Sequence, residues 1–163
     1  LVLRVLYGTA LREAELLALR YADLEVGERR LFVRGVKGPR DRYTLIDLET
    51  VRLLQEWRGS KGLGAPIFDI KSHMTLDNIV KRMAIKTGIW EKYKAARRSL
   101  SPHTFRHAYA SHCYQQGMDL NRLGRLMGHS FVQNTLTYAH CPPEMQQQSY
   151  ERSHPLARSG GAG

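Results

Sequence analysis

Residues 23–46, DLEVGERRLFVRGVKGPRDRYTLI, are the stretch that decides the fold. Three short runs inside it, at 23–26, 30–34 and 42–46, are rich in β-branched, aromatic and leucine residues. Turn residues separate the runs, so the pattern predicts three antiparallel strands. The connection between the second and third runs, GVKGPR, adds cations to a turn. A small sheet with a basic hairpin tip is therefore expected near the N-terminal side.

Helical patterns flank this sheet on both sides. Two short helices are predicted within residues 1–19, around a turn at Gly8 and Thr9. Asp47 is expected to cap a helix that ends near Trp57, and a glycine-rich loop should follow it. Further helices are predicted at 75–87, 102–116, 120–127 and 131–140, with a basic loop at 97–99. The fold class is therefore α+β: a mostly helical domain with a small three-stranded antiparallel sheet.

Composition sets limits on function. The chain has 163 residues, 42% of them hydrophobic, which suits one ordinary domain with a core. Its net charge of +10 favours a polyanionic partner, either nucleic acid or an anionic membrane surface. No run is long and apolar enough to span a bilayer, which disfavours the membrane. Its two cysteines predict neither a disulfide framework nor a cysteine-rich zinc site, so a reducing cytoplasm is the expected location.

Separated pieces of the sequence carry groups that suit chemistry on a phosphodiester: Arg12, His103, Arg106, His129 and Tyr138. Two guanidiniums can neutralise a phosphate whose negative charge grows as it becomes pentacoordinate. Two imidazoles can move protons or donate hydrogen bonds, and a phenol oxygen can be the nucleophile. These groups together would suffice for a phosphoryl transfer without a metal ion.

The segment around His103 has a predicted helical placement. Ser101 and Pro102 are typical of a helix start, so His103 and Arg106 should lie one turn apart near its positive end. That location suits a phosphate. An isolated match of this kind also fits an exposed histidine and arginine on a solvated helix. The segment therefore gains its weight from the other motifs in the chain.

Four motifs, in this order, carry a family resemblance: GTALREAE at 8–15, HTFRH at 103–107, LMGH at 126–129 and TLTYAH at 135–140. Tyr138 follows His129 by nine residues. In order, spacing and flanking residues the chain resembles the tyrosine recombinase (phage integrase) family over nearly its whole length. Ala10 stands where that family usually has a glycine. The resemblance implies that residues 1–157 form a catalytic domain, that the family's N-terminal core-binding domain is not in this chain, and that 158–163 are a disordered tail.

The resemblance implies a role for each site residue. Arg12 and Arg106 would hold the nonbridging oxygens of the scissile phosphate, and Tyr138 would be the nucleophile. His103 would accept the tyrosine proton or shape its surroundings, and His129 would donate a hydrogen bond to a nonbridging oxygen. No cofactor and no metal are implied.

Lys37 matches the lysine that the family places in the turn between its second and third strands, where it would be the general acid for the departing 5′ oxygen. A solvated basic hairpin that contacts backbone phosphates is the alternative explanation of Lys37. Glu15 matches an acidic position and is expected to orient Arg12 rather than react. The residues predicted to bind the DNA backbone are Arg34, Arg40, Arg42, Arg97 and Arg98.

Three other functions compete with recombination. His103 and His107 are four residues apart, as in some zinc sites, but no third ligand has a recognisable spacing and Arg106 would repel a cation. A type IB topoisomerase-like activity and a noncatalytic DNA-binding module remain alternatives. The family resemblance favours a site-specific recombinase whose partner is double-stranded DNA and which works as a tetramer, with residues 144–150 as a short helix that packs on a neighbouring protomer.

Overall fold

A computed structural model describes residues 1–35 and 41–128 of the chain. The predicted helices at 131–140 and 144–150 and the predicted tail lie outside these residues, as do Lys37, Arg40, His129 and Tyr138. Within the described ranges the elements follow in this order: α1 Val2–Thr9, α2 Glu13–Ala18, a 3-10 turn Tyr21–Asp23, β1 Leu24–Glu25, β2 Arg30–Val33, β3 Arg42–Leu45, α3 Leu48–Arg58, α4 His73–Lys86, α5 Ile89–Ala95, α6 Pro102–Gln115 and α7 Leu120–Met127.

The three strands form one antiparallel sheet in the order β1-β2-β3. Leu31 of β2 stands opposite Leu24 on one side and Thr44 on the other. Leu31 and Val33 are buried, and they alternate with residues that face outward, as the period of two requires. The predicted α+β class and the antiparallel sheet are confirmed.

The predicted turn at Gly8 and Thr9 is wrong, because α1 continues through both residues. The Thr9 hydroxyl donates a hydrogen bond to the Val5 carbonyl at 2.6 Å, which satisfies the side chain inside the helix. The chain turns instead at Ala10, whose φ of 52° lies in the left-handed region. An alanine there is strained by roughly 1–2 kcal/mol, so the surrounding structure imposes this turn.

Helices α3 to α7 follow the predicted order, with one addition. Asp47 caps α3 by accepting a hydrogen bond from the Thr50 backbone, and Ser72 caps α4 in the same way. Helix α5 was not predicted. It buries no residue, and it begins after Gly88 without a side-chain cap. A capping side chain is a sequence signal of a helix start, and this helix lacks it.

Two apolar clusters hold these elements together. The larger packs α1, α2, α3 and the inner face of the sheet, and includes Leu6, Leu31 and Leu54. The smaller joins the turn at Ala10 to α6 and α7 through Ala110, Leu123 and Met127. This second cluster brings the end of α7 beside the start of α2. In the described part of the chain, no helix has the length and apolarity needed to cross a membrane.

Candidate active site

Arg106 is a charged residue inside the protein, only 2% exposed. Helix α6 begins with Ser101 and Pro102 as predicted, and this start places Arg106 one turn into the helix. Its guanidinium donates to the Ala10 carbonyl at 2.5 Å and to the Met127 carbonyl at 2.6 Å. Arg106 therefore ties the turn after α1 to the last residue of α7.

Arg12 lies at the N-cap of α2, two residues beyond the strained Ala10. Its side chain is 46% exposed and donates to Glu15 at 3.0 Å and to the Gly128 carbonyl at 3.1 Å. The guanidinium is thus oriented by the protein while it keeps a face toward solvent. A solvent-facing, pre-oriented guanidinium is suited to an anionic ligand.

Three successive carbonyls at the end of α7 accept hydrogen bonds from three arginines. Arg42 donates through Nε to Leu126 at 3.0 Å, Arg106 to Met127 and Arg12 to Gly128. The last carbonyls of a helix have no partner within the helix and carry partial negative charge, so cations are stabilising there. The predicted pair Arg12 and Arg106 therefore converges on the turn that leads directly to His129.

Glu15 is buried at the centre of this arrangement, with 3% of its side chain exposed. One oxygen accepts from Arg42 at 2.7 Å and from the Arg12 side chain at 3.0 Å, and the other accepts from Arg42 at 2.9 Å and from the Arg12 backbone at 2.7 Å. Burial alone would raise its pKa. The hydrogen bonds from Arg42 and Arg12 and their positive charges outweigh burial and lower the pKa of Glu15 to about 2.

Arg42 is not the solvated cation that the sequence predicts. Its side chain is only 9% exposed, and its donors are directed to Glu15 and Leu126. The alternation of β3 explains this, because Arg42 and the buried Thr44 lie on the same inner face of the strand. That alternation was the signal in the sequence that would have placed Arg42 inside.

His103 lies near the start of α6, on the same end of the helix as Arg106. Its ring meets that of His107 edge to face, with centroids 4.5 Å apart. Burial, followed by the proximity of His107, Arg106 and Arg12, lowers the pKa of His103 below its ordinary value. A neutral imidazole near pH 7 is able to accept a proton.

The other predicted DNA-binding arginines in the described residues are closer to solvent. Arg34 pairs with the buried Asp23 at 2.6 Å while half of its side chain stays exposed. Arg97 and Arg98 are exposed in the turn that follows α5. Within residues 1–35 and 41–128, no three His, Cys, Asp or Glu side chains are grouped so that they could hold a metal ion.

Comparison with solved structures identifies the class of fold. The crystal structure of XerA recombinase superposes with a TM-score of 0.74 at 25% identity, over 93% of this chain and 56% of that chain. The catalytic domain of bacteriophage HP1 integrase has a similar fold, with a TM-score of 0.64 at 23% identity, over 99% of this chain and 84% of that one. The described elements therefore form a recombinase catalytic-domain fold.

Sequence comparison then gives the family. The model of the phage integrase family matches residues 1–145, and the chain belongs to that family. It is 31% identical over 159 residues to tyrosine recombinase XerC of Pelobacter propionicus, covering 97% of this chain and 52% of that protein. It is 30% identical over 185 residues to tyrosine recombinase XerD of Agrobacterium fabrum, covering 98% of this chain and 54% of that protein. The chain spans about half the length of these relatives.

Proposed function

We propose that the protein is a site-specific DNA recombinase that breaks and rejoins strands through a covalent bond between Tyr138 and a 3′ phosphate. The observation that carries the proposal is the convergence of Arg12 and Arg106 on the end of α7. Membership of the phage integrase family and the similarity to named tyrosine recombinases support it. Solved complexes of the Tn1549 transposon integrase with DNA share the fold, which supports DNA as the partner.

In the proposed step, the Tyr138 oxygen attacks the phosphorus and the bond to the 5′ oxygen breaks. The tyrosine proton passes to His103, whose lowered pKa leaves the ring neutral and able to accept it. The 5′ oxygen leaves with a proton from Lys37. Arg12 and Arg106 neutralise the charge that develops on the nonbridging oxygens, and His129 donates a further hydrogen bond.

The bond energy of the broken backbone is kept in the phosphotyrosine, so the return step needs no ATP. A 5′ hydroxyl attacks the phosphotyrosine, the tyrosine leaves with a proton, and the strand is resealed. When that hydroxyl belongs to a second duplex, the result is recombination, which fits the proposed tetramer on paired sites. The Lys37 assignment and the tetramer are parts of this proposal that rest on family resemblance.

Covalent capture tests the proposal. The chain is incubated with a pool of duplexes of randomised sequence, each nicked so that the cleaved end is lost and the adduct accumulates. We expect a protein–DNA adduct that survives detergent and whose linked peptide contains Tyr138. Tyr138→Phe should abolish the adduct, while Tyr150→Phe, which lacks the spacing from His129, should not. Binding without any adduct would favour the noncatalytic module, and relaxation of plasmids of every sequence would favour a topoisomerase.

The arginine assignments have their own matched comparison. Arg106→Lys keeps a cation but loses the paired guanidinium donors that contact the Ala10 and Met127 carbonyls, and we expect it to slow adduct formation on the order of 10²- to 10³-fold. Arg98→Ala removes an exposed cation and should weaken DNA binding and lower its salt dependence, with the rate at saturating DNA kept. Equal losses of rate in both variants would contradict the assignment of Arg106 to the developing charge.

A further inference from the structure

Arg42 is the third arginine that donates to a carbonyl at the end of α7, and it takes no part in the proposed chemical step. Its Nε, Nη1 and Nη2 atoms all donate to protein acceptors, so its donors are not directed toward an external phosphate. Its guanidinium is instead shared between Glu15, at 2.7 and 2.9 Å, and the Leu126 carbonyl, at 3.0 Å. Arg42 therefore links β3, α2 and the end of α7.

Gly128 shows how closely Arg42 is packed against the end of α7. A Cβ on Gly128 would lie 2.7 Å from Nη1 and 2.8 Å from Cζ of Arg42. Gly128 also has a φ of 68°, a conformation that side-chain-bearing residues rarely adopt. The guanidinium of Arg42 thus fills the space in which any other residue at 128 would place its side chain.

Glu15 connects Arg42 to the phosphate-facing arginine. The same carboxylate oxygen accepts from Arg42 and from the Arg12 side chain, and the other oxygen also accepts from the Arg12 backbone. Arg12 in turn donates to Gly128. The hydrogen bonds form a closed network. Arg42 and Arg12 both donate to Glu15, and both also donate to carbonyls at the end of α7, just before His129 in the chain.

We propose that Arg42 is a positioning residue for strand cleavage: through Glu15 and Leu126 it sets the orientation of Arg12 and the end of α7 from which the chain continues into His129. This inference rests on the proposed function. It assigns Arg42 no contact with DNA. Because a misplacement of about 1 Å in a reacting group can cost on the order of 100-fold in rate, loss of Arg42 should slow the chemical step without weakening binding.

The test compares Arg42→Gln with Arg30→Gln. Arg30 lies on the neighbouring strand β2, at the opposite end of the β2–β3 pairing from Arg42, and it also pairs with a carboxylate, Glu25, at 2.6 Å. The substrate is a nicked duplex selected by covalent capture with the unaltered chain. Three quantities are measured for each variant: the rate of adduct formation at saturating DNA, the dissociation constant for DNA, and the thermal unfolding midpoint.

We expect Arg42→Gln to form the adduct on the order of 100-fold more slowly, with an unchanged dissociation constant. Arg30→Gln should match the unaltered chain in both the rate of adduct formation and the dissociation constant. If Arg42 contacted DNA instead, its variant would bind more weakly and the salt slope would fall by about one, with the rate at saturation kept. That pattern, or an unchanged rate, would overturn the inference.

A second substitution at Arg42 distinguishes a folding defect from a slower reaction. If Arg42→Gln fails to fold, Arg42→Lys keeps the charge but cannot reach Glu15 twice and Leu126 at once. The lysine variant should then show the slow rate with normal binding, and a normal rate would overturn the inference. If the unaltered chain forms no adduct, the proposed function itself is refuted. If the unaltered chain forms the adduct and the Arg42 variant forms it at the same rate, only the positioning role is refuted.

Discussion

The buried carboxylate of Glu15 gives the sharpest prediction about stability. Glu15→Gln keeps the size of the side chain but removes its charge and part of its hydrogen-bonding capacity toward Arg12 and Arg42. The pKa of Glu15 falls from the ordinary 4.5 to about 2 on folding. At 1.36 kcal/mol per pKa unit this shift corresponds to about 3 kcal/mol at neutral pH. Removing one partner of a buried ion pair gives a similar figure, about 3–5 kcal/mol.

The dependence on pH follows from the sign of the shift. Because the folded-state pKa of Glu15 is depressed, its contribution is fully present above the ordinary value of 4.5 and is lost as the pH falls through about 2. Urea unfolding at a series of pH values should therefore show a difference of about 3 kcal/mol in the free energy of unfolding between wild type and Glu15→Gln at neutral pH. This difference should become smaller as the pH falls from 4.5 through about 2.

The control for this measurement is Glu25→Gln. Glu25 also pairs with an arginine, Arg30, but about a third of each side chain is exposed. Solvent screens such a pair, so its loss should change the free energy of unfolding far less than the loss of Glu15. Two pH–stability curves that run parallel for wild type and Glu15→Gln throughout the acidic range would refute the reasoning.

Three other outcomes are expected. Gly128→Ala should destabilise the protein by more than the roughly 1 kcal/mol of a left-handed alanine, because the new Cβ collides with Arg42. The control is Gly88→Ala, which has a similar φ of 72° and open space around it, so it measures the backbone contribution to the destabilisation alone. Leu123→Ala empties a fully buried position on α7 and should lower the free energy of unfolding by about 2–5 kcal/mol in urea titration. The C2 proton of His103 should titrate below 6.5 by NMR, since burial and cationic neighbours disfavour its charged form, and a midpoint above that value would contradict this placement.

Much of the fold was readable because its signals are local. The alternation in β2 and the turns around it predicted the sheet, and Ser101 with Pro102 predicted the start of α6. Helix α5 had no such signal, since it buries no side chain and starts at a glycine without a side-chain cap. The break at Ala10 was also invisible, because alanine favours helix and only the tertiary structure turns its carbonyl toward Arg106.

For the candidate site, sequence motifs selected Arg12 and Arg106, and the structure brings both to the end of α7. The motifs could not say which cations are internal. Charge near the hairpin predicts Arg42 to be solvated, whereas the alternation of β3 places it on the inner face with Thr44. The sequence does not give its partner, because Glu15 is distant in sequence and pairs with Arg42 only in the folded chain.

The charge balance of the site is consistent with the chemistry proposed for it. Among the described residues, Arg12, Arg42 and Arg106 with Glu15 carry a net charge of about +2, since arginine is always charged in proteins and the lowered pKa keeps Glu15 ionised. A phosphodiester has one negative charge, and the pentacoordinate transition state approaches two. In the proposed mechanism the charge of Glu15 also weakens binding of the resting phosphate, and an interaction that favours ground and transition states alike does not raise the rate.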